Sequence, residues 1–248
     1  LDGLEDAYEP GRSMGTFGED CAAKYGFTRA EQDAFATASV ERAKAATASG
    51  AFAAEITPVT VKSRAGETVV SVDEGPGKVK LDKIASLKPA FKKDGTITAA
   101  SSSSINDGAA ALVMMRASTA TKLGCKPLAR IVGHATHAQE PEWFATAPLG
   151  ATQKALAKAG WSVGDVDLWE INEAFAVVPM ALMKELNLPH DKVNVNGGAC
   201  ALGHPIGASG ARIMVTLIYA LQARGLKKGL ATLCIGGGEA TAVAVELV

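Results

Sequence analysis

VDLWEINEAFAVVPMALMKELNLPHDKVNVNGGACALGHPIGASGARIMVTLIYALQARGLKKGLATLCIGGGEATAVAVELV, residues 166–248, carries the alternation that decides the fold. Residues 166–171 form an apolar run of strand length, and a helix is expected from about 174 to 186. A Gly-rich loop over 193–204 leads into a helix over about 209–223. Ile213, Leu217 and Leu221 share one face of that helix, and Gly225 marks its stop. Two apolar strands, 230–235 and 240–247, close the chain around Gly-Gly-Gly-Glu. Strands alternating with helices, ending in a hairpin, predict an α/β protein with a mixed sheet covered by helices.

Working outward, a helix is expected at 150–159 before Gly160, a strand near 128–134 and a short helix at 118–124. Residues 109–115 (AAALVMM) follow the turn-like NDG and read as a buried strand. Residues 74–104 are rich in Lys, Pro, Ser and Gly and are expected to be mostly loop. Residues 55–63 and 68–73 alternate around RAGE, the pattern of a hairpin. Thr28 and Glu31 have capping-box spacing, and Gly50 stops the helix they open. Residues 1–27 read as an irregular opening. The first hundred residues lack a long buried strand and are expected to form a cap or insertion rather than a core of their own.

The 248 residues are 48% apolar and 21% charged, with a formal net charge of −1. No basic stripe is present to displace counterions, which argues against nucleic acid as a partner. No apolar run reaches membrane-span length, so no membrane partner is expected either. Cys21, Cys125, Cys200 and Cys234 are scattered without a C-x-x-C pair, which argues against a zinc site and a disulfide scaffold. No metal is therefore expected. A first residue that is not Met raises the expectation that something upstream was removed or is missing.

Three loops carry candidate chemistry. Asn172 follows a strand, where its amide either holds a water or carbonyl oxygen or caps the next helix. His204 lies among Gly197, Gly198, Gly203, Gly207 and Gly210. Pro205 keeps it out of helical geometry, and Ser209 with the next helix N-terminus adds positive dipole. Cys234 ends a buried strand at a triple-glycine turn whose N–H groups suit an oxyanion. Cys21, Cys125 and Cys200 lack such a setting and read as structural, as do His134, His137 and His190.

NEAF at 172–175, NGG-x-x-x-LGHPIGASGAR at 196–212 and LCIGGG at 233–238, in this order, resemble the thiolase family. So do the opening LDGLEDAY…MG, EQDAFA, EI-x-PV, INDGAAAL and AGW…D-x-DL-x-E, and the likeness is greatest to the short-chain acetoacetyl-CoA branch. The resemblance implies two similar halves in five αβαβα layers with an inserted loop domain. On that plan residues 1–104 are the loop domain, 105–125 the last strand and helix of the first half, and 126–248 the C-terminal domain. The first half's remaining strands and the family's nucleophilic Cys have no match in these residues, so a missing N-terminal half is an expected partner.

The resemblance implies an acyltransferase that condenses two acetyl-CoA to acetoacetyl-CoA and CoA, or cleaves short 3-ketoacyl-CoA. CoA is then substrate or product, and no cofactor is required. His204 would activate the nucleophile, Cys234 would move the α-carbon proton, and Asn172 and Gly236 would help stabilise the two oxyanions. Leu4, Met14, Phe91, Ala99, Ser103, Ala174 and Phe175 would meet acyl-CoA. Ser103 is best placed for a pantetheine hydrogen bond, while Ser13 replaces a His common in relatives. Phe144, in EPEWFATAP, would either wall the acyl tail or belong to the core. The family further implies a cytoplasmic homo-oligomer, dimer or tetramer, in fatty acid metabolism. Two alternatives stand: a ketosynthase-like enzyme, which usually has a second His where Cys234 stands, and a non-catalytic fragment or CoA-binding partner subunit. On this reading the 248 residues alone are inactive.

Overall fold

The structure, a computed structural model, describes residues 3–248. Leu1 and Asp2 of the matched opening lie outside the described residues. Among the described residues eight α-helices and six strands follow in chain order: α1 Met14–Tyr25, α2 Arg29–Ser49, β1 Val59–Ser63, β2 Gly66–Val70, α3 Gly75–Lys78, α4 Ala117–Leu123, β3 Ala129–Ala138, α5 Ala147–Ala159, β4 Leu168–Ile171, α6 Val177–Leu186, α7 Ala199–Leu202, α8 Ser209–Arg224, β5 Lys228–Ile235 and β6 Glu239–Leu247.

The main sheet has the order β3-β6-β5-β4. β4 runs parallel to β5, and the other pairs are antiparallel. Strict alternation along the strands supplies two buried faces. Trp169, Ile171, Leu230, Cys234, Ala240, Ala242 and Ala244 face one cluster with α1, α5 and α6. Leu168, Ala231 and Val245 face the other, built on Ile213, Leu217 and Leu221 of α8. The alanines of β6 let α5 approach closely, and at Gly133 of β3 a Cβ would come within 2.8 Å of the Ala155 carbonyl. The predicted elements 118–124, 150–159, 209–223 and both closing strands are present within a few residues of their expected ends.

The capping box forms as expected: Glu31 N–H donates to Thr28 Oγ1, and Thr28 N–H donates back to Glu31. Gly50 ends α2 at φ 76°. The hairpin β1–β2 is present, with Arg64 and Ala65 between its strands, and all of its strand residues are exposed.

Two expectations are corrected. Residues 1–27 are not all irregular: Met14–Tyr25 is a helix whose Met14, Phe17, Cys21 and Ala22 enter the main core. Its glycines hid it, because Gly15 and Gly18 pack against Phe91 and Ile97 from distant sequence. Nor do residues 109–115 form a buried strand. The stretch 105–115 around them is neither strand nor helix, with Ile105, Val113 and Met114 exposed. An apolar run becomes a strand only where neighbours complete its ladder, and among the described residues none pairs with it.

Leu217 is fully buried between α8 and the sheet, while Val61 is exposed on the hairpin. Leu217→Ala is expected to cost ~2–5 kcal/mol in a guanidinium chloride unfolding curve. Val61→Ala is expected to stay within about 0.5 kcal/mol of the parent in the same measurement.

Candidate active site

The C-terminal ends of the parallel pair β4 and β5 bring two of the three motifs side by side. Asn172 N–H donates to the Thr232 carbonyl (3.0 Å), extending the β4–β5 ladder by one residue. Asn172 is buried and does not cap the next helix, which begins at Val177. Its Nδ2 lies 3.3 Å from His204 Nε2, and its Oδ1 is buried without a hydrogen-bond partner.

His204 is gripped on both sides. Its N–H donates to the Ser104 carbonyl (3.0 Å), and its Nδ1 lies 2.5 Å from Ser209 Oγ. Ser209 Oγ donates its proton to the Pro205 carbonyl (3.0 Å). Ser209 therefore accepts from His204 Nδ1–H, which leaves a lone pair on Nε2 to accept from Asn172. Burial, and then the positive charge of Arg212, lower the His204 pKa, so the neutral base form is held at pH 7.

The loop that carries His204 is anchored to one buried carboxylate, Glu173, the second residue of NEAF. Its oxygens accept from Ser39 Oγ (2.7 Å), Asn194 Nδ2 (2.8 Å) and the Cys200 N–H at the start of α7 (3.0 Å). Ser39 Oγ accepts from the Gly198 N–H (3.0 Å). Asn194 adopts φ 47° and pairs through its side chain with both the N–H and the carbonyl of Ile171, at 2.8 Å each. It thereby satisfies the outer edge of β4. Arg42 of α2 donates to the Val193 and His190 carbonyls from behind. Gly203 is required at its place: it has φ 86°, and a Cβ would run into the Asn106 side chain.

Cys234 is buried at the end of β5, and burial pushes its thiol up to about 12. In this setting the thiol is held protonated rather than as a ready thiolate. Gly236 is exposed on the turn beyond it, and Met14 Sδ lies 3.3 Å from where a Cβ would stand. The expected acyl-CoA residues gather here in part. Met14, Phe144 and Phe175 share the core cluster with Cys234, and Phe91 and Ala174 pack on it. Phe175 meets the rings of Phe91 (5.7 Å) and Phe144 (6.5 Å) edge-on. Leu4 sits beside Met14 through the Met14 N–H (2.9 Å). Ser103 lies against Ala174, whose carbonyl accepts from both its N–H and its hydroxyl at 3.0 Å. Ala99 is exposed on the turn before it. Phe144 is 3% exposed and belongs to the core, supporting Phe175 rather than lining open space.

Cys21 and Cys200 are buried and Cys125 exposed. Cys200 lies against the Glu173 carbonyl, His190 stacks on Phe35 and His137 meets Gln139 and Lys154. Among the described residues no group of three His, Cys, Asp or Glu is arranged for a metal, and no helix is long and apolar enough to cross a membrane.

Comparison with known proteins agrees with this geometry. The family description "Thiolase, N-terminal domain" matches residues 1–118, and "Thiolase, C-terminal domain" matches residues 125–247. The chain belongs to the thiolase family. Acetyl-CoA acetyltransferases of Chromobacterium violaceum and Paracoccus denitrificans are 55% and 52% identical over 99% of this thiolase-family chain. The chain spans 63% of the length of each of those relatives. The crystal structure of the Bacillus anthracis acetyl-CoA acetyltransferase matches at TM-score 0.95 and 47% identity, covering 99% of this chain and 62% of that one. Human mitochondrial 3-ketoacyl-CoA thiolase matches at TM-score 0.91 and 38% identity, with the same coverage.

Sequence reading did not find the roles of Glu173, Asn194, Ser39 and Arg42, and it gave Ser209 only a dipole. For Ser209 a signal was present: a hydroxyl five residues after a His-Pro turn folds back onto the ring. Ser39 and Arg42 gave none, because they lie more than 130 residues away from what they hold.

Native-state alkylation followed by mass spectrometry is expected to label Cys125 first and to leave Cys21, Cys200 and Cys234 slow. Labelling of Cys234 should keep climbing as pH rises from 7 to 10 without levelling, since only the thiolate reacts and its pKa lies near 12. A plateau below pH 9 contradicts the protonated thiol.

Proposed function

We propose that this chain supplies the acid–base half of a short-chain thiolase, interconverting two acetyl-CoA with acetoacetyl-CoA and CoA. The observation that supports this most directly is His204, fixed between Ser209 and Asn172 with its Nε2 lone pair presented beside the Asn172 amide. In condensation, a nucleophilic thiol gives its proton to His204 Nε2 and takes an acetyl group from the first acetyl-CoA. The first CoA leaves with that proton. Cys234, its own proton first passed to His204 Nε2, takes a proton from the α-carbon of the second acetyl-CoA. That carbon attacks the acyl-enzyme, forming the new carbon–carbon bond, and the expelled enzyme thiolate recovers the proton held on His204.

Cys234 is set up as donor, so it serves first in thiolysis, protonating the departing carbanion. In the condensing direction a substrate oxyanion held by the His204–Asn172 pair lowers the α-carbon pKa toward it. The unpartnered Asn172 Oδ1 suits a bridging water, and the Gly236 N–H, next to Met14, suits the second oxyanion.

None of the four cysteines has the setting of the acylated nucleophile. Cys21 is buried in the core with its thiol pushed up to about 12, Cys200 rests on Glu173, Cys234 is the proton carrier, and Cys125 follows α4 on the surface. The nucleophile is therefore assigned to a further part of the protein, which also covers the exposed stretch 105–115. These 248 residues by themselves are inactive on this reading. CoA lies along Met14, Phe91, Ser103 and Phe175. The oligomer is assigned to copies of the same protein, and the place of work to the cytoplasm.

In the active protein, His204→Ala and Cys234→Ala are each expected to lower acetoacetyl-CoA cleavage by ~10²-fold or more, the usual scale for a placed acid or base. Cys200→Ala should remain near the parent rate. Near-parent cleavage by Cys234→Ala removes its assigned role.

Turnover of acetoacetyl-CoA should exceed that of 3-ketopalmitoyl-CoA, because Phe175, backed by the buried Phe144, leaves little room for a long tail. Equal or faster cleavage of the long substrate contradicts the short-chain assignment.

A further inference from the structure

On the α8 side of the sheet, opposite Cys234, lies a buried group of charges that the acid–base scheme leaves unused. Glu170, two residues before Asn172 on β4, is 2% exposed and directed at α8. Its Oε2 lies 3.5 Å from Arg212 Nη1, three residues after Ser209. Glu55, between α2 and β1, accepts from Thr216 Oγ1 on the next turn of α8 (3.2 Å). Glu170 Oε1, Glu55 Oε2 and Arg212 Nη1 are all buried without a hydrogen-bond partner. The group thus has little hydrogen bonding to fix it.

The pair spans the two supports of the site. β4 carries Asn172, and the first turn of α8 carries Ser209, so Glu170 and Arg212 join the parts that grip His204 from its two nitrogens. We propose that Arg212, paired with Glu170 and flanked by Glu55, is a positioning residue for His204, seating the first turn of α8 against the strand that carries Asn172. The proposal rests on the reading of His204 as the base, and it adds a proton-dependent setting of that base.

Protonation enters through the carboxylates. Burial pushes Glu170 up to about 8 and Glu55 to about 7, and burial also raises Asp73. Glu170 faces Arg212 and Arg224 on α8, with Glu173 and Glu55 as like charges. Glu55 faces Arg212 and Asp73. A carboxyl whose folded pKa is raised binds more protons folded than unfolded, so its effect on stability worsens as pH rises from the ordinary 4.5 through its folded value. At neutral pH Glu170 is largely protonated and grips Arg212 weakly. Above about 8 it ionises and tightens on Arg212.

The test is nitrogen-15 NMR of the His204 ring in the purified protein, which reads tautomer and titration without any turnover. The parent should show the Nδ1–H form and, above the ring's own titration, a second inflection near pH 8. Glu170→Gln, which keeps shape and loses the charge, should abolish that second inflection. Arg212→Met should move the His204 midpoint upward, the effect of losing a nearby positive charge, and mix the tautomers. Arg212→Lys should restore both. Ring signals unchanged in Arg212→Met, or a second inflection that survives Glu170→Gln, overturn the proposal. If Arg212→Met does not fold, the Glu170→Gln comparison decides. Acetoacetyl-CoA cleavage is scored separately: coupling of the ring signals without any cleavage by the active protein leaves the positioning intact and removes the thiolase reading.

Discussion

The site hangs on the carboxylate of Glu173. A charge this deep is tolerated only when its lone pairs are filled, and three donors from three separate segments fill them. One donor comes from α2, one from the loop before α7 and one from the α7 backbone itself. Because Glu173 immediately follows Asn172, closing this network places the Asn172 amide. Because Cys200 begins the turn that leads to His204, the same network places the imidazole. Removing a single partner leaves a buried charge short of a donor, which is far costlier than losing one surface contact.

Around that anchor, each supporting residue resolves a backbone problem that the topology creates. β4 is short and lies at the sheet edge, so its outer N–H and carbonyl groups need partners. Asn194 provides them by standing in for a strand. Leaving the sheet for the His204 loop needs a sharp turn, which Gly203 allows. Pro205 then offers its carbonyl to Ser209, and that one hydrogen bond determines which imidazole nitrogen keeps its proton.

The C-terminal half was legible because its signals are local. The alternation along β6, the 3.6-residue stripe of Ile213, Leu217 and Leu221, and the stops at Gly160 and Gly225 need no distant partner to be read. The resemblance set His204 and Asn172 at one oxyanion, and glycine density singled out the His204 loop, but the direct contact between the two side chains was not foreseen. What escaped was long-range. α1 looked irregular because its packing surface is supplied by Phe91 and Ile97. The run AAALVMM looked like a strand because periodicity reports apolarity and says nothing of whether a ladder partner exists. The burial of Cys234 was evident from its strand, but the height of its pKa follows from the full core around it.

The β1–β2 hairpin is exposed along all of its strand residues, so little apolar surface holds it to the rest of the molecule. Its amides should exchange with solvent through a local opening that leaves Glu173 and its partners closed. A segment that opens alone is also where extra residues can be accommodated at little free-energy cost. Length and composition can therefore change there at little cost, while the spacing from Asn172 to Ser209 is confined by the network it must close.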